Sequence, residues 1–198
     1  MGAIFQSLNR TIIAGFVLLV VIVGLASALS ATPVPFATHA WALFLVRWLH
    51  VLAGVMWIGL LWYFNFVQIP SMPKIPDEQK PAVSKVIAPT ALFWFRHAAL
   101  WTVITGATLA AMSGYIGQAL MLQRPFTAIG IGMWLALVMA FNVWFIIWPN
   151  QKKALGIVVV EAAEKAAAAR LAMLTSRANT MLSIPMLYCM VAQQNGGL

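Results

Sequence analysis

Long apolar segments separated by short polar connections dominate the pattern of this chain. Five segments stand out, each near the roughly 20 residues with which an α-helix crosses a bilayer. They lie at residues 12–31, 41–66, 92–120, 127–148 and 171–192. Their uninterrupted apolar runs exclude transmembrane strands, in which apolar and polar residues alternate. The pattern predicts an all-α fold, an integral membrane bundle of five transmembrane helices.

The composition supports a membrane protein. Of the 198 residues, 63% are hydrophobic and 8% are charged, whereas a soluble domain has about 45–50% apolar and about 25% charged residues. The length predicts a single membrane domain over residues 1–198. Cys189 is the one cysteine, which excludes an internal disulfide, a Cys-x-x-Cys metal site and a covalent haem motif within these residues.

The distribution of basic residues predicts the orientation of the bundle. A net charge of +8 would indicate nucleic acid in a soluble protein, but membrane proteins collect basic residues in their cytoplasmic loops. With the N-terminus inside, the inner side holds Arg10, Lys74, Lys80, Lys85, Lys152, Lys153, Lys165 and Arg170. The outer loops hold only Arg124. This bias predicts an N-in, C-out topology and no nucleic-acid partner.

A histidine inside the second apolar segment is the first candidate for function. Residues three, four and seven apart share a helix face, so Arg47, His50, Gly54 and Trp57 form one stripe. Gly54 would leave a hollow beside the imidazole for a flat cofactor. Haem fits this pattern, with His50 on the iron and Arg47 near a propionate. Alternatively, His50 hydrogen-bonds a neighbouring helix and Gly54 permits close packing.

His97 is a second candidate ligand, next to Arg96 near the inner end of the third segment. At 1.5 Å per residue, His50 would lie about 13 Å below the outer surface and His97 within about 10 Å of the inner one. In antiparallel neighbours the offset would be about 10–15 Å, so one iron held by both histidines is not implied. A methionine or an open site are the alternatives for the sixth position.

Several polar residues map to the inner halves of their segments: Asn65, Arg96, Asn142, Arg177 and Asn179. Because no segment contains an acidic residue, the two arginines need another anion or backbone carbonyls as partners. Haem propionates, a quinone oxygen, an anionic substrate or lipid headgroups would each serve. The alternative is that Arg96 and Arg177 only extend to the inner headgroups.

Four stretches carry a family resemblance. They are VRWLHVLAGVMWIGLLWYFNF at 46–66, VQIPSMP at 67–73, NVWFIIWPNQKKALG at 142–156 and SRANTMLSIPML at 176–187. Together they resemble the membrane domain of the PuuD-type urate hydroxylases, the urate oxidase N-terminal family, over about residues 41–190. The spacing of His50, Trp57, Gly59 and Tyr63 is also similar to the first haem-ligand helix of HemJ-type protoporphyrinogen oxidases.

The resemblance implies a small multi-pass redox protein of the bacterial inner membrane that binds haem b, with His50 as the matching ligand. Family members often carry a cytochrome c domain, and the Cys-x-x-Cys-His motif of that domain does not occur in these residues. Electrons would therefore pass to a separate cytochrome. Two functions stay open: a haem-bearing oxidoreductase or electron-transfer protein, and a non-catalytic accessory subunit of a larger membrane respiratory or oxygenase complex.

Overall fold

The computed structural model describes residues 2–30 and 34–197, and every regular element in these residues is helical. The predicted all-α class is therefore confirmed. The chain divides into two compact units, Met1–Ala42 and Leu43–Leu198. The single-domain organisation stays a prediction.

The first unit contains a short helix, Gly2–Phe5, and the long helix α1, Leu8–Leu29. The Thr11 hydroxyl donates to the Ser7 carbonyl at 3.1 Å, which tightens the first turn of α1. No residue of α1 is buried, and its mean hydropathy is 2.9. A helix that is apolar all round and has no buried residue is suited to lipid.

Four further long helices follow: α2 at His39–Trp62, α3 at Ala88–Met112, α4 at Thr127–Phe141 and α5 at Ala162–Asn195. α2 begins in the first unit, and the rest of it lies in the second. Two of these helices continue past their α-helical parts. α2 continues through a π-helical segment, Tyr63–Gln68, to Lys74, and α4 through Asn142–Ile147 to the short helix Trp148–Ala154.

A third π-helical segment, Val83–Ile87, comes directly before α3, and each of the three segments precedes a proline. The three prolines are Pro70, Pro89 and Pro149. The residue before each proline donates its backbone N–H five residues back: Ile69 to Phe64, Ala88 to Val83 and Trp148 to Val143. A proline ring collides with the carbonyl four residues earlier in an α-helix. The wider π turn relieves that collision, so the helices continue through positions where proline would otherwise end them.

The core of the second unit lies where α2, α3, α4 and α5 meet. Its largest fully buried side chains include Trp57, Leu61, Phe95, Met139 and Val143. Small residues bring the backbones close together at the opposite end of α4. A side chain at Gly130 would collide with the Ala119 carbonyl, and one at Gly132 would lie 3.1 Å from the Cβ of Cys189.

Three stretches among the described residues are long and apolar enough to cross a membrane: Leu8–Leu29, His39–Lys74 and Thr127–Ala154. They support the membrane class. α3 is less apolar because it contains Arg96, His97 and four threonines, and α5 begins with several alanines and charged residues. The five spans and the N-in, C-out orientation therefore stay predictions.

One predicted boundary is wrong. The third segment, predicted at 92–120, is two helices: α3 ends at Met112, and a separate helix occupies Ile116–Leu120. Between them Gly114 has a φ of 79°. Glycine adopts this left-handed conformation without a steric penalty, so the chain can turn here despite its apolar sequence.

Candidate functional site

The His50 imidazole lies between α2 and α3. Its Nδ1 is 3.0 Å from the Thr102 carbonyl oxygen and 3.2 Å from the Thr105 hydroxyl. Because a carbonyl oxygen only accepts hydrogen bonds, Nδ1 carries the ring proton and donates it. The Thr105 hydroxyl itself donates to the Trp101 carbonyl at 2.6 Å, so it also accepts from Nδ1.

This arrangement leaves the other ring nitrogen unprotonated. Nε2 of His50 forms no hydrogen bond within the described part of the chain. It is also not completely enclosed by protein atoms. In metal sites, a ligating imidazole commonly donates its second N–H to a backbone carbonyl, which fixes the tautomer and the ring orientation. The His50 ring is held in the same way.

A glycine on α3 determines how closely the imidazole approaches. A Cβ at Gly106 would lie 2.8 Å from Cε1 of His50 and 3.2 Å from its Nδ1, so any side chain there would displace the ring. Gly54, on α2, has more room. The nearest atom to a Cβ at that position is Cγ2 of Thr102, at 4.0 Å.

The partners of His50 on α3 were not identified from the sequence. The segment TVITGAT at 102–108 is unusually rich in small and hydroxyl side chains for an apolar helix, and this was the available signal. It indicates close helix packing, but it does not say which residue of α2 would fill the space.

The other members of the predicted stripe have different surroundings. Arg47 is exposed. Trp57 is 0% exposed, in the core of the second unit, and its indole nitrogen has no hydrogen-bond partner. The structure therefore keeps His50 and Gly54 at the α3 interface, encloses Trp57 and leaves Arg47 at the surface.

The hydrogen-bond partner of His97 belongs to its own helix. Its Nδ1 is 2.7 Å from the Phe93 carbonyl of its own helix. Its ring lies 4.2 Å from the Phe93 ring and 5.7 Å from that of Trp144. His97 precedes Thr102 by five residues, which is about 8 Å along α3 and a different helix face. The structure does not bring His50 and His97 together on one metal position.

The two predicted inner arginines also differ. The Arg96 guanidinium carbon lies 3.9 Å above the centre of the Trp148 ring. Arg177 is exposed on α5 and forms no ion pair within the described residues. Its exposure agrees with the predicted alternative, an arginine that extends to lipid headgroups.

The predicted inner asparagines join helices to each other. Asn65 donates to the Ser176 hydroxyl at 2.8 Å, and Asn142 donates to Oδ1 of Asn179 at 2.8 Å. Asn179, which is fully buried, donates to the Met139 carbonyl at 3.0 Å. These bonds connect the π-helical extensions of α2 and α4 to α5. Their role in the described structure is packing, because each of these donors is used within the bundle.

The helical architecture and the three apolar stretches define an all-helical membrane protein. The C-terminal part of the chain is identified more closely: the model of the family "Urate oxidase N-terminal" matches residues 123–196. The predicted resemblance is confirmed for these residues, which contain α4 and most of the following chain but not His50. The similarity to HemJ-type enzymes stays a prediction. No curated protein and no solved structure matches the chain significantly.

Proposed function

We propose that this chain is a membrane haem b protein that takes part in electron transfer or oxidoreduction, and that His50 is the iron ligand. One observation carries the proposal: the imidazole is oriented by a neighbouring helix through Nδ1, and its Nε2 is left without a partner. Haem would supply one-electron chemistry at this position. The family match at 123–196 supports a role related to oxidoreduction in a membrane.

The residues around His50 suit an iron ligand. The Thr102 carbonyl and the Thr105 hydroxyl both accept from Nδ1–H, which raises the basicity of the imidazole and holds its plane. Coordination would offset the cost of keeping a polar ring in the apolar segment. Arg47 precedes His50 by three residues and is exposed, so its guanidinium is free to reach a propionate.

Replacement of His50 tests the ligand assignment. His50→Ala should abolish the Soret absorption of protein that still inserts into the membrane. His50→Gln keeps an N–H group that can reach the Thr102 carbonyl but is a poor iron ligand, so it should also lose haem while retaining more stability. His39→Ala is the control and should keep the full Soret band. Normal haem content in His50→Ala would contradict the assignment.

An accessory subunit is the second candidate. The bond from Nδ1 to α3 pairs the imidazole within the bundle by itself, so helix packing alone also accounts for a histidine in an apolar segment. In addition, no residue of α1 is buried, and its apolar surface would suit lipid or another subunit. This candidate predicts a colourless wild-type protein that is destabilised by His50→Ala.

The proposal includes a five-span, N-in, C-out topology in a bacterial inner membrane and a separate cytochrome as electron partner. Its support is the position of the lysines, which flank the connections between α2 and α3 and between α4 and α5. A reporter enzyme that is active only outside the cytoplasm, fused after Leu198, should be active. A reporter that is active only in the cytoplasm should be inactive when it is fused after Leu198. Activity of this second reporter would reject the topology.

A further inference from the structure

Two positively charged side chains share one tryptophan ring in the second unit. The Arg96 guanidinium carbon lies 3.9 Å from the centre of the Trp148 ring, and Nζ of Lys152 lies 5.8 Å from it. Each cation is attracted to the electron-rich face of the indole. The two charges also repel each other, so a nearby anion would stabilise the cluster.

The cluster is built by the π-helical segment of α4. Trp144, within Asn142–Ile147, donates its indole N–H to the Arg96 carbonyl at 3.1 Å, which ties this segment to α3. Trp148 follows directly after the segment and Lys152 comes one turn later. The contact between α3 and this segment therefore brings Arg96 and Trp148 together.

No acidic side chain of the described residues neutralises this cluster. The chain has four acidic residues. Asp77 pairs with Lys80 at 2.6 Å and Glu164 pairs with Lys153 at 2.7 Å. The other two, Glu78 and Glu161, are exposed in connections between helices. Neither Arg96 nor Lys152 forms an ion pair within the part of the chain that the structure describes.

The guanidinium of Arg96 also lacks hydrogen-bond acceptors. Its Nη1 is enclosed and has no partner. Its Nε and Nη2 are not enclosed and form no hydrogen bond within the described residues. A charged group without an acceptor is costly at the edge of an apolar bundle. The accessible edge of the guanidinium is therefore available to an external acceptor.

We propose that Arg96 and Lys152, which both contact the ring of Trp148, bind the phosphate group of an anionic phospholipid. A guanidinium presents parallel N–H donors that match phosphate oxygens, and lysine adds a compact second charge. Trp148 and Lys152 lie near the end of the apolar stretch Thr127–Ala154. Tryptophan and lysine at the end of an apolar helix are typical of headgroup depth, which favours a lipid over a free phosphate ion.

Lipid binding by the delipidated full-length protein tests the site. Native mass spectrometry would measure the affinity for phosphatidylglycerol, with phosphatidylcholine and inorganic phosphate as separate arms. Arg96→Gln and Lys152→Gln should each weaken phosphatidylglycerol binding about tenfold, the loss typical of one charge-assisted contact. Phosphatidylcholine should bind more weakly than phosphatidylglycerol. Inorganic phosphate at the same concentration as the lipid should not displace phosphatidylglycerol.

Two matched variants control for the loss of charge. Lys153→Gln changes the adjacent lysine, which already pairs with Glu164, and Arg170→Gln removes an exposed arginine from α5. Both should bind phosphatidylglycerol as the wild type does. If Arg96→Gln does not fold, Lys152→Gln still decides, because its side chain is outside the core.

Three outcomes would overturn the proposal. One is that the wild type and Lys152→Gln bind phosphatidylglycerol with equal affinity. Another is that Lys153→Gln weakens phosphatidylglycerol binding as much as Lys152→Gln does. The third is competition by inorganic phosphate as strong as that by lipid, which would make the ligand a free anion. Haem content measured in the same samples keeps this result separate from the His50 proposal, which predicts no change in haem in Lys152→Gln.

Discussion

The regions around His50 and His97 use the same ring atom in different ways. In both, Nδ1 lies within hydrogen-bond distance of a backbone carbonyl, at 3.0 Å for His50 and 2.7 Å for His97. The acceptor of His50 belongs to α3, a different helix. The acceptor of His97 is Phe93, one turn earlier in its own helix.

The surroundings of the two rings differ as well. His50 lies beside small residues of α3, with Gly106 directly against the ring. His97 lies against Phe93 and Trp144, whose rings are 4.2 and 5.7 Å away. Gly106 lets the imidazole of His50 lie close against α3, whereas two aromatic rings pack on His97. A hydrogen bond through Nδ1 therefore does not define a ligand by itself; the second helix and the small residues distinguish His50.

The largest expected effect comes from adding one methyl group beside His50. In Gly106→Ala the new Cβ would lie 2.8 Å from Cε1, so the ring must move away from Thr102. Haem affinity should fall about 10- to 100-fold, as when a ligand loses its orienting partner, and overpacking should cost about 1–3 kcal/mol of unfolding free energy. Haem titration and thermal unfolding would measure both effects.

Gly15→Ala in α1 is the matched control for that change. Its methyl group would have no atom within 4 Å. Alanine also favours the helix by about 1 kcal/mol relative to glycine. This variant should keep wild-type haem affinity and gain slightly in stability. Equal losses of haem in the two variants would contradict the role given to Gly106.

A smaller effect is expected when one acceptor of the Nδ1 proton is removed. Thr105→Val deletes the hydroxyl 3.2 Å from Nδ1 and leaves the Thr102 carbonyl in place. Loss of one hydrogen bond of about 1 kcal/mol should weaken haem binding about fivefold. In the control Thr108→Val the lost hydroxyl bonds only the Ile104 carbonyl of the same helix. If both variants release haem to a scavenger equally fast, Thr105 has no specific role.

The smallest effect on haem is expected in the other region. His97→Ala removes the contacts with Phe93 and Trp144 and should lower the unfolding free energy by about 0.5–1.5 kcal/mol. The Soret band should be unchanged. His97→Phe, which restores a ring, should recover most of the stability in chemical denaturation. Loss of haem in both variants would mean that His97 is also a ligand.

The sequence predicted the helical segments well where apolar length decides them. α1 was predicted at 12–31 and lies at Leu8–Leu29. The end of α3 was missed because TVITGATLAAMSGYIGQAL contains no charged residue and no proline, while the turn depends on the backbone of Gly114. Each π-helical segment has a sequence cue, a proline two residues after its end, although a proline alone does not exclude a helix end.

The sequence predicted the residues that α2 contributes to the candidate site but not those of α3. Gly54 follows His50 at the fourth position along the same helix, so helix periodicity places the two residues on one face. Thr102, Thr105 and Gly106 lie more than 50 residues away in the chain, and their position opposite His50 depends on the register between α2 and α3. Similarly, the contact of Arg96 with Trp148 depends on where the π-helical segment rotates α4. Periodicity within one helix gives neither the register between α2 and α3 nor the rotation of α4.

The haem content of the wild-type protein tests the central claim most directly. The full chain would be expressed with excess haem precursor, purified in mild detergent and assayed by its absorption spectrum and by reduced pyridine haemochrome. The account predicts a Soret band, a reduced-minus-oxidised spectrum of haem b and a stoichiometry near one haem per chain. A folded protein of normal stability without Soret absorption would contradict it and would leave His50 as a helix-packing residue of an accessory subunit.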